Sequence, residues 1–269
     1  MITSVANQKV KRIVQLNKKS SERKKEGVFI VEGIKMFLEA PEEDLDGIYV
    51  PEGFFADGGK GNLEGRFGAA LKKLERNGYE TVSDEVFAKM SDTVTPQGIL
   101  CVVKQRKYSL EDMIGKAVSP FFLILENLQD PGNLGTIIRT GEGAGISGVI
   151  MSRDTVDLYN PKTIRATMGS IYRVPFLYAA DIRQTVLEVK KRKIPVYAAH
   201  LKGEKCYDAF DYTKPAAFLI GNEGSGLTEE TAALADTYIK IPMEGQVESL
   251  NAAVASSLLM YEAARQRRK

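Results

Sequence analysis

The sequence has few of the residues that build disulfide frameworks and metal centres. Its two cysteines, Cys101 and Cys206, are too few and too distant to form a disulfide framework. It has one histidine, His200, so clustered histidine zinc sites are excluded and a Ser–His–Asp site would have to use that residue. We predict inert thiols in a reducing compartment, no metal ion, and a histidine that is a polar residue at a strand end.

Long apolar runs are also missing. The longest, FFLIL at residues 121–125, is far shorter than a membrane-spanning helix. The first residues, MITSVANQKVKR, lack the apolar core of a secretory signal. There is no internal repeat and no low-complexity tract. We expect a cytoplasmic protein with no membrane partner.

The remaining composition is that of an ordinary globular protein, with 43% hydrophobic and 27% charged residues in a chain of 269, enough for two domains. The net charge is only +2, but basic residues gather near the start. Residues 1–27 contain Lys9, Lys11, Arg12, Lys18, Lys19, Arg23, Lys24 and Lys25. The chain ends in RQRRK. This distribution predicts an anion-binding surface, plausibly for nucleic acid, although a solvated face or a frayed end explains the charge equally well.

Short strands and helices alternate in the first hundred residues. We predict strands at 28–31, 47–50 and 99–103, helices at 32–40 and 71–78, and a loop at 57–65. These elements make a small α/β domain, residues 1–105. The polar stretch 104–113 suggests a linker, which we place at 106–118.

The alternation is cleaner in residues 119–269. We predict strands at 121–125, 148–151, 194–199, 216–220 and 238–241, with helices between them. This pattern predicts an α/β domain with a mostly parallel sheet covered on both faces, and ligands at the carboxyl ends of its strands. Pattern alone favours an unknotted sheet, because true knots are nearly absent from proteins.

Two glycine-rich stretches have different contexts. GAGISG (143–148) matches a dinucleotide-binding pattern but ends a helix and opens a strand, so we interpret it as a helix C-cap. No P-loop motif occurs. GNEGSGL (221–227) directly follows a strand and suits either a ligand-binding loop or a tight turn. The carboxylate of Glu223 would repel phosphate and favours a cationic or neutral ligand.

Two helix starts carry more polar residues than capping requires. In DPGNLGTIIRTG (130–141) we predict that Asn133 caps a helix beginning at Leu134, which leaves Arg139 near the polar face. In VESLNAAVASSL (247–258), Ser249 or Asn251 can cap the final helix, and the other polar residues have no capping role.

Three motifs together resemble one known family. DPGNLGTIIRTGEGAG, FLIGNEGSGL and IPMEGQVESLNAAVASSLLMYEA look like the three motifs of the SpoU (TrmH-like) RNA ribose 2′-O-methyltransferases, members of the SPOUT superfamily. IRATMGSIYRVPF (164–176) is similar to the segment that connects them. KKEGVFIVEGIKMFLEA (24–40) resembles part of the L30e/L7Ae-like substrate-binding domain of members that modify ribosomal RNA.

The resemblance implies a fold and a set of site residues. The methyltransferase domain would contain a deep carboxyl-terminal trefoil knot and act as a homodimer, with the small L30e-like domain at its amino-terminal side. The residues that would bind S-adenosylmethionine are Gly221, Asn222, Gly226, Ile241, Met243 and Leu250. The catalytic set would be Asn133, Arg139, Glu223, Ser249 and Asn251. On this view Val254, Leu258 and Tyr261 form one stripe of a packed helix at the dimer interface.

The implied reaction transfers a methyl group to a ribose 2′-hydroxyl, in large-subunit ribosomal RNA of the 23S type. Family accounts assign activation of the hydroxyl to Arg139, but a guanidinium is always charged near neutral pH, so phosphate binding and charge stabilisation are the better expectation. Two alternatives stay open: methylation of transfer RNA, and a non-catalytic RNA-binding or ribosome-assembly protein that keeps the fold.

Overall fold

A computed structural model describes residues 1–55, 66–115 and 118–268, so the loop predicted at 57–65 lies outside the described residues. The chain divides into two compact units. Unit 1 contains residues 1–106 and 159–172, and unit 2 contains residues 107–158 and 173–269. None of the described helices is long and apolar enough to cross a membrane.

The described helices and strands alternate along both units. The helices are α1 (Gln8–Lys18), α2 (Ser20–Glu26), α3 (Ile34–Glu39), α4 (Arg66–Asn77), α5 (Asp84–Met90), α6 (Leu110–Ile114), α7 (Pro131–Ala144), α8 (Pro161–Thr167), α9 (Ile182–Lys191), α10 (Glu229–Ala232) and α11 (Ala252–Arg267). The strands are β1 (Val28–Glu32), β2 (Leu45–Pro51), β3 (Glu80–Val82), β4 (Leu100–Lys104), β5 (Phe121–Leu125), β6 (Gly148–Ser152), β7 (Phe176–Ala179), β8 (Val196–Ala199), β9 (Lys205–Cys206), β10 (Ala216–Ile220) and β11 (Thr237–Lys240).

Unit 1 is built on a four-stranded mixed sheet in the order β1-β4-β2-β3. Three residues of α1 at three-residue spacing, Val10, Ile13 and Leu16, are buried in its core with residues of β1 and β4. The predicted strands and helices of this region are confirmed, and α4 ends at a left-handed Gly78 as its C-cap requires. The short strand β3 was not predicted.

The segment 159–172 interrupts unit 2 in sequence but packs in unit 1. Its helix α8 lies against β1 and buries Thr163, Ile164 and Thr167. The Tyr159 ring contacts the Phe29 ring at a centroid distance of 4.7 Å. The core of unit 1 therefore includes a helix whose sequence lies between β6 and β7.

Unit 2 contains seven parallel strands in the order β7-β6-β5-β10-β8-β11-β9. All residues of β5, β6 and β10 are buried, as expected for central strands of a parallel sheet covered on both faces. The α/β prediction and its five strands are confirmed, whereas β7 and β9 were not predicted. The interpretation of GAGISG is also confirmed, because α7 ends at Ala144 and Gly145 is its left-handed C-cap.

The stretch expected to be a linker contains the short helix α6. Ser109 and Asp112 form a capping box at its start. Leu110 and Met113 are buried in the core of unit 2, so this stretch is part of that core.

The last helix, α11, packs along α7 mainly with small side chains. Its buried residues are Ala252, Ala253, Ser256, Leu259, Met260 and Ala263. Arg267 fixes its end, since the guanidinium donates to the carbonyls of Ser119, Tyr212 and Lys214 and lies 4.8 Å from the Phe121 ring centroid. One of the arginines in the basic end RQRRK is therefore a structural anchor.

Candidate active site

Three loops at one edge of the parallel sheet contain the residues that the sequence singled out. They follow the carboxyl ends of β5, β10 and β11, and the first two strands are neighbours in the sheet. The loops are residues 126–130, 221–227 and 241–250. In parallel sheets this edge is where ligands bind.

The first loop leads into α7 through Asp130. Asp130 is the N-cap, and its Oδ1 accepts a hydrogen bond from the Asn133 backbone N–H at 2.7 Å. The prediction that Asn133 caps a helix starting at Leu134 is wrong, because Pro131 occupies the first helical position, where proline is favoured. Asn133 is thereby freed from capping, and its side chain is available for other contacts.

Glu223 accepts three hydrogen bonds from this region. The backbone N–H groups of Gln129 and Asp130 donate to it at 3.0 and 2.9 Å, and Asn133 Nδ2 donates at 3.0 Å. Partial burial by itself would raise the pKa of the Glu223 carboxyl, but these donors outweigh it and hold the pKa below its ordinary value. Glu223 is thus an ionised group that joins the second loop to the first.

Asn251 connects the third loop to the same set. Its Nδ2 donates to Asn133 Oδ1 at 2.9 Å, while its Oδ1 accepts from the backbone N–H groups of Ala253 and Val254 at 2.9 and 3.3 Å. Of the two caps that the sequence allowed, Ser249 and Asn251, the structure uses Asn251. Asn251 is the N-cap of α11 and also contacts Asn133.

The orientations of the two amides follow from Glu223. An ionised carboxylate only accepts hydrogen bonds, so the NH₂ group of Asn133 faces Glu223 and its oxygen faces Asn251. Because Asn133 Oδ1 can only accept, it must face the NH₂ group of Asn251. The oxygen of Asn251 then faces the start of α11. Each of the two amide groups can therefore take only one of its two flipped orientations.

The glycine-rich loop 221–227 folds back on itself. The backbones of Asn222 and Gly226 exchange two hydrogen bonds, of 2.9 and 3.0 Å. A Cβ atom added to Gly221 would lie 2.1 Å from the carbonyl carbon of Gly226, so this position requires glycine. Gly226 has a φ of +70°, which also favours glycine.

The third loop differs from the other two in its lack of hydrogen bonds to the described residues. In the described part of the chain, residues 241–250 form no hydrogen bond, either with one another or with other residues. Ile241, Met243 and Leu250 are half-buried, while Ser249 is exposed. Their backbone N–H and C=O groups are available to a ligand, as backbone polar groups must be paired somewhere when they become buried.

Arg139 is the one predicted site residue that projects freely from a helix. It is exposed, about 9 Å along the axis of α7 from Asn133 at the usual rise per residue. Within the described residues it has no hydrogen bond and no ion pair. The structure therefore brings Asn133, Glu223 and Asn251 into contact, and it leaves Arg139 and Ser249 exposed without a contact to them.

Sequence reasoning missed the residues that connect the loops. Glu126 is buried and binds Thr228 at the end of the glycine-rich loop. Gln129 Nε2 donates to the carbonyls of Asn127 and Asp154, which ties the loops after β5 and β6 together. A signal for Glu126 was present, because it is a carboxylate placed directly after the apolar strand FFLIL.

The single histidine lies at the end of a strand, beside an aromatic ring. His200 follows β8 as predicted, accepts a hydrogen bond from the Lys202 N–H, and stacks on Tyr238 at 4.8 Å between ring centroids. Among residues 1–55, 66–115 and 118–268, no group of three or more His, Cys, Asp or Glu side chains is arranged to hold a metal ion. Cys101 and Cys206 are both free thiols.

An open groove of about 660 Å³ lies beside Asn133 and Asn251. Three of its apolar lining residues, Val254, Leu258 and Tyr261, are exposed on α11. The packed side of this helix carries mainly small residues together with Leu259 and Met260, and the predicted stripe lies on its exposed side.

Two family models match the chain. The SpoU rRNA methylase family matches residues 120–261, and the MRM3-like substrate-binding domain matches residues 7–101. The three motifs of the SpoU resemblance lie within the first of these ranges except for the last two residues of the third motif, and the whole L30e-like motif lies within the second.

Relatives and solved structures of similar extent agree with these matches. The chain is 33% identical to the 23S rRNA (guanosine(2553)-2′-O)-methyltransferase RlmP of Bacillus subtilis, over 97% of each chain. Its fold matches an AdoMet-bound rRNA methyltransferase of Sinorhizobium meliloti with a TM-score of 0.84, at 29% identity over 100% of this chain and 98% of that one. It also matches the SpoU methyltransferase AviRb of Streptomyces viridochromogenes with a TM-score of 0.82, at 25% identity over 97% and 98% of the two chains.

These matches confirm the resemblance and the predicted fold class, an α/β SPOUT methyltransferase domain with a smaller amino-terminal α/β domain. With one family model covering more than half of the chain and a relative 33% identical over nearly all of it, the chain belongs to the SpoU rRNA methylase family of RNA ribose 2′-O-methyltransferases.

Proposed function

We propose that the protein transfers a methyl group from S-adenosylmethionine to a ribose 2′-hydroxyl in large-subunit ribosomal RNA. The observation that carries this proposal is the hydrogen-bonded set of Glu223, Asn133 and Asn251, which joins three loops at the ligand-binding edge of the sheet. Relatives named for 23S rRNA methylation, RlmP and RlmB, share 31–33% identity with the chain over most of its length. The proposal includes action on ribosomal RNA in the cytoplasm.

The loops fit S-adenosylmethionine as the methyl donor. Gly221 leaves no room for a side chain, and Asn222 and Gly226 hold the turn beside it. Ile241, Met243 and Leu250 offer unpaired backbone groups to the donor. When bound, the donor supplies an electrophilic methyl group on a sulfonium cation, which a loop containing the Glu223 carboxylate accommodates better than a phosphate group.

Arg139 binds the RNA phosphate beside the target ribose in this proposal and stabilises negative charge that develops on the 2′-oxygen. A guanidinium keeps its proton near neutral pH, so it does not act as a general base. It has no ion pair with any residue that the structure describes, which leaves its five N–H donors available for phosphate. A fixed array of such donors acts on charge that appears only in the transition state.

Glu223, Asn133 and Asn251 keep the site in one geometry. Because each amide has a single permitted orientation, the start of α7, the glycine-rich loop and the start of α11 are held together. Ser249, exposed two residues before Asn251, is placed to contact the donor or the RNA. Alignment of this kind supplies up to about 7–11 kcal/mol in the best intramolecular reactions.

Unit 1 binds the RNA through part of its basic segment. Lys9 and Arg12 are paired with carboxylates, and Arg23 is buried and donates to the Leu16 and Asn17 carbonyls. The remaining basic residues of this segment are exposed and without an ion pair in the described structure: Lys11, Lys18, Lys19, Lys24 and Lys25. These five, which we call the lysine surface, provide phosphate contacts that add affinity without reading sequence.

The protein forms a homodimer through the exposed side of α11. Val254, Leu258 and Tyr261 are 49%, 37% and 51% exposed, and they line one groove. Apolar residues grouped in this way on a helix mark an interaction surface more often than single exposed apolar residues do. A second copy buries them and places its own residues near Asn133 and Asn251.

Methylation of transfer RNA is the second candidate. The chain matches a substrate-binding domain over residues 7–101 in addition to the methylase family, which favours the ribosomal substrate. A non-catalytic RNA-binding protein is disfavoured because Arg139, Glu223, Ser249 and Asn251 are all present.

The test of this proposal is single-turnover transfer of a labelled methyl group to ribosomal RNA. Arg139→Ala should lower the rate at least a hundredfold while leaving the Kd of S-adenosylhomocysteine unchanged, and Arg139→Lys should recover only part of it. Full activity of Arg139→Ala with unchanged RNA affinity would refute the assigned role.

A further inference from the structure

Two consecutive residues after β5 hold both ends of the glycine-rich loop. At its entry, the Asn127 carbonyl accepts a hydrogen bond from Asn222 Nδ2 at 2.7 Å. At its exit, Glu126 Oε2 accepts from the Thr228 backbone N–H at 2.8 Å. The Glu126 backbone N–H also donates to the Ile220 carbonyl at 2.9 Å, so the strand that precedes the loop is joined to the same residue.

Glu126 makes these contacts as a buried carboxylate. It is 4% exposed, and its Oε1 accepts hydrogen bonds from the hydroxyls of Thr228 and Thr231. Among the described residues it has no basic partner. A buried carboxylate is costly unless it is fully hydrogen-bonded, and here one N–H group and two hydroxyls meet an acceptor-only group.

We propose that Glu126 is a positioning residue for the methyl-donor site. It acts through Thr228, which it holds by both the backbone and the side chain, and so fixes where loop 221–227 rejoins the fold. The donor is held mainly by backbone groups of this loop, whose positions depend on both attachments. This inference rests on the proposed function, since it takes the loop to be the site of S-adenosylmethionine.

The arrangement explains why the loop needs an attachment beyond its own hydrogen bonds. The internal bonds between Asn222 and Gly226, and those from Gly224 and Ser225 N–H to Asn222 Oδ1, close the turn but do not connect it to the sheet. The connection at the exit is made through Glu126. Loss of its charge leaves the turn and the contacts of Asn222 and Glu223 in place but weakens the attachment at the exit of the loop.

The test compares Glu126→Gln and Thr228→Val with the control Thr231→Val. Thr231→Val removes one hydroxyl from the same carboxylate but leaves both contacts to Thr228 in place. We expect Glu126→Gln to raise the Kd of S-adenosylhomocysteine, measured by calorimetry, at least tenfold. The KM for S-adenosylmethionine should rise in parallel with little change in kcat. Thr228→Val should shift both in the same direction, and Thr231→Val should change them less than threefold.

A purely structural role predicts a different result. Glu126→Gln and Thr231→Val would then lower the Tm to the same extent and leave the Kd of the folded proteins unchanged, which would overturn the proposal. If Glu126→Gln does not fold, the Kd of S-adenosylhomocysteine for Thr228→Val, compared with that for Thr231→Val, tests the proposal in its place.

Failure of the proposed function gives a separate outcome. Wild-type protein would then bind neither S-adenosylmethionine nor S-adenosylhomocysteine. Amide hydrogen exchange of residues 221–228, without any ligand, would still test the attachment itself. Faster exchange in Glu126→Gln than in Thr231→Val supports it, and equal exchange overturns it.

Discussion

Asn251 Nδ2 donates a hydrogen bond of 2.9 Å to Asn133 Oδ1, across 118 positions of sequence. The same Asn251 side chain caps α11 through its oxygen. One residue thus couples the folding of the last helix to the geometry of the site, and its two roles belong to different atoms.

The two roles of Asn251 should be separable by substitution. Asn251→Asp keeps an oxygen for the cap and a negative charge at a helix start, so the free energy of unfolding in urea should stay close to that of the wild type. It loses the donor to Asn133 and should lower kcat at least tenfold. Asn251→Ala should lose activity and also about 1 kcal/mol of stability. Unchanged kcat in Asn251→Asp would contradict the role of this contact.

Glu223 should make stability depend on pH in the acid range. Its pKa is lowered in the folded protein, so its contribution is fully present above the ordinary glutamate pKa of about 4.3 and is lost as the pH falls through the lower folded value. Glu223→Gln should therefore be less stable than the wild type near neutral pH, and the difference should shrink as the solution is acidified. Denaturant unfolding between neutral pH and about pH 3 measures this difference. A constant difference would contradict the assignment.

The lysine surface should govern the salt dependence of RNA binding. Glutamate at Lys18, Lys19, Lys24 and Lys25 together should weaken binding to ribosomal RNA fragments and reduce the slope of log K against log salt by about 3, if each lysine meets one phosphate. A double control, Lys72→Glu with Lys89→Glu, changes exposed lysines elsewhere in unit 1 and should affect the slope much less. A control effect about half that of the fourfold variant, in proportion to the number of lysines changed, would show that general charge, and not this surface, is responsible.

The dimer should depend on the exposed side of α11. Val254→Glu combined with Leu258→Glu should shift the mass measured by light scattering from two chains to one, because charges cannot be buried in an apolar interface without partners. Leu187→Glu is the matched control, since Leu187 is 39% exposed on α9 and lies outside the groove. A wild-type mass of one chain would refute the dimer directly.

Much of the fold was predictable from local patterns, because buried parallel strands such as β5 and β10 are short apolar runs bounded by turn residues. The start of α7 was misplaced although its signal was present. The Asp130-Pro131 pair is typical of an N-cap followed by the first helical residue. Asn133 was predicted to be the cap only because asparagine is also a favourable N-cap residue.

Other features had no local signal. The packing of α8 against β1 joins residues more than a hundred positions apart, and nothing in IRATMGSIYRVPF indicates that unit 1 receives it. For the same reason the contacts of Glu223 with Asn133, and of Asn133 with Asn251, were not predicted, and the family resemblance only placed these residues in one candidate site. Deleting residues 1–105 is a poor test of RNA binding, because it would expose the buried side of α8.

Mapping of 2′-O-methyl groups on large-subunit ribosomal RNA tests the central claim most directly. RNA that lacks modification would be incubated with S-adenosylmethionine and either the wild-type protein or Arg139→Ala. The account predicts one new 2′-O-methyl site with the wild-type protein, a much weaker signal with Arg139→Ala, and none on transfer RNA. Absence of any new site on ribosomal RNA, or equal methylation by both proteins, would contradict it.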